Sequence, residues 1–130
     1  MLGSNRSGAA VHRVGEGASF EGTLRFSGRL EVEGTVIGAV IADTAGAGEV
    51  VVWPKGRVQG EITAATVVIA GTVQGPVRCS VRLDVLSGAK LVGDVVYRDL
   101  QIQHGAVVEG SLKPLEGEQV ALKLVANSRI

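Results

Sequence analysis

The stretch Phe20-Glu-Gly22-Thr-Leu24-Arg-Phe26-Ser-Gly28-Arg-Leu30-Glu-Val32-Glu-Gly34-Thr-Val36-Ile-Gly38-Ala-Val40 alternates, as far as Thr35, between two kinds of residue. Every even position is apolar or glycine, and every odd position from Glu21 to Thr35 is polar. Side chains alternate faces along an extended chain, so this is a strand pattern with one buried face. A second run keeps the rule on odd positions, from Val67 and Ile69 through Val73, Val77, Cys79, Val81 and Leu83 to Val85. Strands usually run about 5 or 6 residues, and each of these runs is far longer. The chain therefore turns corners while holding one face inward, and the interspersed glycines permit the turns.

A short motif recurs at those corners: glycine, an aliphatic two or three residues on, then glycine again. It reads Gly34-Thr-Val36-Ile-Gly38, Gly56-Arg-Val58-Gln-Gly60, Gly71-Thr-Val73-Gln-Gly75, Gly88-Ala-Lys-Leu91-Val-Gly93 and Gly105-Ala-Val-Val108-Glu-Gly110. A degenerate first copy is Gly17-Ala-Ser-Phe20-Glu-Gly22. The closing glycines step by 16, 22, 15, 18 and 17 residues. A repeat of this period is the signature of a solenoid, here of about six coils. The long step marks a loop insertion near Asp43 to Gly48, which a solenoid accepts without disturbing its stack. Residues 1–14 read as a flexible N-terminal tail, 15–113 as the solenoid and 114–130 as a C-terminal tail.

Composition narrows the function. Lysine plus arginine number 13 and aspartate plus glutamate number 13, so the formal charge is zero. A nucleic-acid binder relies on neutralising phosphates, and that footprint is missing. Only Phe20, Phe26, Trp53 and Tyr97 are aromatic, while glycine reaches 19. Aliphatics and glycine must then form a thin core between closely stacked backbones. One cysteine excludes an internal disulfide and fits a reducing, cytoplasmic setting. No stretch approaches the roughly 20 apolar residues of a membrane-spanning helix.

Enzyme constellations are sparse. His12 falls in the expected tail and His104 beside a turn glycine; with Cys79 on the inward face they cannot supply the three or four converging ligands of a zinc site. No Gly-Lys-Ser or Gly-Lys-Thr occurs, so no phosphate loop is present and no nucleotide or other cofactor is expected. Glu31, Glu33 and Asp84 read as outward surface charges, and Trp53-Pro54 as punctuation packed under the inserted loop. The ends carry the functional weight. A solenoid exposes unpaired strand edges and a slice of core at each terminus, and monomeric solenoids cap both. Here Phe20, Leu24 and Phe26 follow a polar tail, and the last motif, with Val108 and Leu112, leaves at Pro114 without a capping helix. Uncapped ends that mate repeatedly form a filament, and these five residues are the expected self-association sites.

Taken in order and at this spacing, the motifs from Glu21-Gly22-Thr-Leu24 to Gly105-Ala-Val-Val108-Glu-Gly110 resemble the bactofilins, bacterial cytoskeletal proteins. The resemblance implies a right-handed parallel β-helix of triangular section that assembles without nucleotide into non-polar filaments by end-to-end contacts. It also implies a scaffold for cell-wall or morphogenetic proteins at the inner face of the cell membrane. Bactofilins commonly place a phenylalanine in the terminal contact of the last coil, where this chain has Val108. Many carry a short membrane-targeting peptide, to which Met1-Leu2 with Arg6 is similar. Two other readings share the coil length. A left-handed β-helix acyltransferase needs an aliphatic every six positions, a register this chain does not keep. A non-polymerising β-helical interaction domain would share the fold and stop at a dimer.

Overall fold

The computed structural model describes residues 11–43 and 48–115 and the backbone of 120–125. It is an all-β parallel solenoid of about six coils, and each coil lays one strand on each of three faces. The first coil holds β1 (Val11–Val14), β2 (Ser19–Glu21) and β3 (Leu24–Phe26). The second holds β4 (Arg29–Val32), β5 (Thr35–Ile37) and β6 (Val40–Ala42), and the third opens with β7 (Glu49–Val52) and β8 (Arg57–Gln59). Two strands then bend from the third face of one coil into the first face of the next: β9 (Ile62–Ile69) and β11 (Val77–Val85), with β10 (Thr72–Gln74) between them. The chain continues through β12 (Lys90–Val92), β13 (Val95–Tyr97), β14 (Asp99–Ile102) and β15 (Val107–Pro114), and β16 (Val120–Val125) follows.

The alternation read from the sequence becomes vertical ranks of side chains. On the second face Phe20, Val36, Val58, Val73, Leu91 and Val108 stack in register. On the third, Leu24, Val40, Ile62, Val77, Val95 and Leu112 do the same. The first face carries two ranks, Val14-Val32-Val52-Ile69-Val85-Ile102 and His12-Leu30-Val50-Val67-Leu83-Leu100. The interior members of all four are buried in one core cluster. Fully burying one such aliphatic contributes about 1.5–3 kcal/mol, so the stack is held by many equivalent small terms rather than by any single residue.

The corner between the second and third faces is a column of glycines. Gly22, Gly38, Gly60, Gly75, Gly93 and Gly110 all have positive φ, for instance 145° at Gly60 and 141° at Gly75, a region that L side chains avoid. A Cβ on any of these but the first would overlap the carbonyl oxygen of the glycine one coil earlier. Each N–H from Gly22 to Gly93 donates to the residue just before the next coil's glycine, as Gly60 does to the Gln74 carbonyl at 2.8 Å. The ladder thus passes through the corner with its backbone groups paired, which a buried backbone requires.

Several expectations need correction. The expected N-terminal tail ends in structure: β1 pairs in parallel with β4, so coil one begins at Val11 rather than at residue 15. His12 consequently lies at an inward register position above Leu30 instead of in a tail. At the other end, β16 pairs antiparallel with β15, placing a strand within the expected 114–130 tail. Val81 does not face inward. It is 42% exposed, because β11 carries an extra residue against β9 between Cys79 and Arg82, and the bulge turns Val81 out. Residues 44–47 of the expected insertion lie outside the described residues.

Candidate functional site

Both ends of the stack are candidate sites, and they differ. At the N-terminal end β1, β2 and β3 each pair on one side only, with β4, β5 and β6. Their outer edges present N–H and C=O groups with no strand beyond them among the described residues, a ready template for another chain. The slice of core at this end is part-exposed at Val14, Phe20 and Leu24, while Phe26 is buried. His12, the one polar member of the four ranks, is exposed here, with Nε2 3.2 Å from the Ser27 carbonyl oxygen.

The C-terminal end is covered along its second face and at the start of its third. β16 lies along β15 from Val107 to Leu112, in register pairs from Val107 with Val125 to Leu112 with Val120. Val108 is 1% exposed and Leu112 is buried. The expectation of an uncapped last coil is therefore corrected, since the chain's own C-terminal strand occupies that edge. Among the described residues, β14, with part-exposed Leu100 and Ile102, and the last residues of β15, Lys113 and Pro114, have no strand beyond them there. Of the five expected self-association residues, Phe20 and Leu24 reach the surface at an end. Phe26, Val108 and Leu112 do not. The three expected membrane contacts, Met1, Leu2 and Arg6, lie outside the described residues.

Outside the ends, a polar cluster ties three successive coils together. Glu31, expected as a surface charge, is only 9% exposed. It accepts from Arg13 Nη2 at 3.0 Å and Trp53 Nε1 at 3.4 Å, and its other oxygen pairs with Arg29 Nε at 3.1 Å. Burial alone would raise the Glu31 pKa; the bonds from Arg13 and Trp53 and the charges of Arg29 and Arg13 outweigh it and hold the carboxyl below its ordinary value. Trp53 thus ties into this cluster, and its ring, with Pro54, Lys55, Glu16 and Glu33, lines a shallow groove of about 300 Å³. Lys55 and Glu16 close an exposed pair at 3.0 Å, a contact worth about 0–1 kcal/mol.

Cys79 is fully buried, and desolvation, with the nearby Asp84 charge, pushes its thiol up to about 12; the reactive thiolate is then suppressed. His104 is exposed at a turn, where its carbonyl accepts from Ser87 Oγ at 2.8 Å. Among the described residues no group of three His, Cys, Asp or Glu could hold a metal ion, and no helix is long and apolar enough to cross a membrane.

Comparison with family models settles the kinship. Residues 12–113, starting within β1 and ending within β15, match the model described as "Bactofilin: Polymer-forming cytoskeletal". The chain belongs to the bactofilin family. No curated protein and no solved structure gives a significant match. As a bactofilin, the chain is a polymer-forming cytoskeletal protein of a structural, non-enzymatic family, which leaves the acyltransferase reading without support. The match begins at His12, so the first coil, including the strand hidden in the apparent tail, is part of the family domain. The signal the sequence offered for β1 was weak, because His12 interrupts the inward alternation of Val-His-Arg-Val.

Proposed function

We propose that this bactofilin assembles end to end into filaments without nucleotide, and that the filaments are non-polar because like ends meet. The observation that carries the reading is the N-terminal end: three strand edges with no outer partner among the described residues, beside the part-exposed Phe20 and Leu24. Two copies meeting there pair strand edges and remove apolar surface from water, and at about 25 cal/mol per Å² even a few hundred Å² is a useful driving force. Contacts between C-terminal ends then extend the pair into a chain, with Phe26, Val108 and Leu112 supporting the mating surfaces from beneath. The absence of a phosphate-loop sequence accords with assembly that needs no nucleotide.

The filament serves as a scaffold for cell-shape or cell-wall proteins at the inner face of the cell membrane, with Met1, Leu2 and Arg6 contacting lipid. A single basic residue adds only about 1 kcal/mol at an anionic surface. Membrane attachment therefore depends on many copies arrayed along one polymer. Pelleting of purified protein with and without added nucleotide tests the first part: equal pelleting supports it, and nucleotide-dependent pelleting refutes it. Flotation with anionic vesicles, comparing the full chain with one lacking residues 1–10, tests the second. Loss of flotation on deletion is expected; equal flotation refutes the lipid contact.

A further inference from the structure

We infer that β16 is a displaceable cap, a strand that holds the C-terminal end closed until a second copy of this chain replaces it. The inference rests on the filament reading above and adds a control element to it. An edge strand offers one outward row of N–H and C=O groups, and one strand can use that row at a time. β16 occupies the row of β15 over six register pairs, Val107 to Leu112. Any contact in which another copy's strand extends the second and third faces at this end must first remove it.

Position makes the competition finely poised rather than one-sided. Only residues 116–119 separate the described end of the solenoid at Leu115 from β16, and a tether this short holds a segment at an effective concentration of about millimolar. That favours the closed state in dilute protein. Yet β16 runs antiparallel against an otherwise parallel stack, and among the described residues no strand lies beyond the β14 edge with its part-exposed Leu100 and Ile102. A second copy can engage all three faces, where β16 engages the second and only the start of the third. The exchange thus trades a local, incomplete cover for a larger intermolecular one, and it is driven by protein concentration. The N-terminal end has no corresponding strand among the described residues. With β16 in place the resting species is a closed pair joined at N-terminal ends, since a contact related by a two-fold axis does not propagate.

The test fixes the cap in the full chain. Ser111 and Ala121 are register partners across β15 and β16, a spacing that a disulfide can bridge, and buried Cys79 stays out of the chemistry. Under mild oxidant the Ser111→Cys/Ala121→Cys chain should form an internal disulfide and give particles no larger than dimers by light scattering and electron microscopy. Reductant should restore filaments. In the opposite direction, Leu122→Pro removes a backbone donor within β16 and should lower the concentration at which filaments appear, with the circular dichroism of the solenoid retained. Failure of the disulfide to form, or oxidised chains that polymerise like reduced ones, would overturn the cap while leaving the filament reading intact. If neither the reduced double variant nor Leu122→Pro forms filaments at any concentration, the filament reading itself fails and the cap falls with it.

Discussion

Gly75 sits one coil beyond Gly60 at the same corner, and a Cβ on Gly75 would overlap the Gly60 carbonyl oxygen. Backbone contacts backbone there, so no flexible side chain can move aside. Gly75→Ala is expected to cost more than the roughly 1–3 kcal/mol of backbone strain alone. Gly88→Ala is the control: its φ is 86°, but open space surrounds the added methyl, and the cost should stay within that strain alone, about 1–3 kcal/mol. Urea midpoints of the two variants at equal protein concentration measure the difference. Similar midpoints would show that the glycine column is not a packing constraint.

Leu91 tests the aliphatic rank. It is fully buried between Val73 and Val108, and neighbours above and below cannot collapse into the space without breaking the ladder. Leu91→Ala should destabilise by about 2–5 kcal/mol, read from the same denaturation curves. A loss below 1 kcal/mol would mean the core is far looser than the ranks imply.

Glu31 predicts a pH dependence with a definite sign. Its folded-state pKa is lowered, so its contribution is complete above the unfolded-state pKa and is lost as pH falls through the folded one. Glu31→Gln should therefore be less stable than the parent at neutral pH, with the gap closing as pH drops below the ordinary carboxylate range. A gap that persists unchanged in acid would show that the charge on Glu31 does not matter to the three-coil tie.

Cys79 should resist thiol reagents at pH 8 in the folded protein and react on unfolding in urea, given its burial and a thiol pushed up to about 12. Rapid modification without denaturant would show that the third-face core opens readily.

The coils were legible in the sequence because a solenoid writes its period twice, in the alternation of aliphatics and in the glycine column. The strand registers on the second and third faces advance by the same 16, 22, 15, 18 and 17 residues as the closing glycines. What escaped the pattern has physical reasons. β1 carries histidine at an inward position because it borders the open end, where a polar side chain meets water. Glu31 is buried through Arg13 and Trp53, 18 and 22 residues away, and a local alternation cannot show partners one coil before and one coil after. β16 returns antiparallel, so it shares neither the period nor the glycines of the coils it covers. Because of it, Val108, placed by the sequence at an open end, is covered within its own chain. An arginine at that position would test the fold as much as any contact.

The most direct measurement is therefore made at the N-terminal end, by negative-stain electron microscopy of the parent chain beside Phe20→Arg, without nucleotide. Phe20 is part-exposed beside strand edges that have no partner among the described residues, so arginine fits the isolated molecule but places an unpaired charge in the mated one, at a cost of several kcal/mol. Filaments are expected from the parent, and discrete particles from a Phe20→Arg protein of unchanged circular dichroism. Discrete particles from the parent at every concentration, or filaments of equal length from both, would contradict assembly through this end.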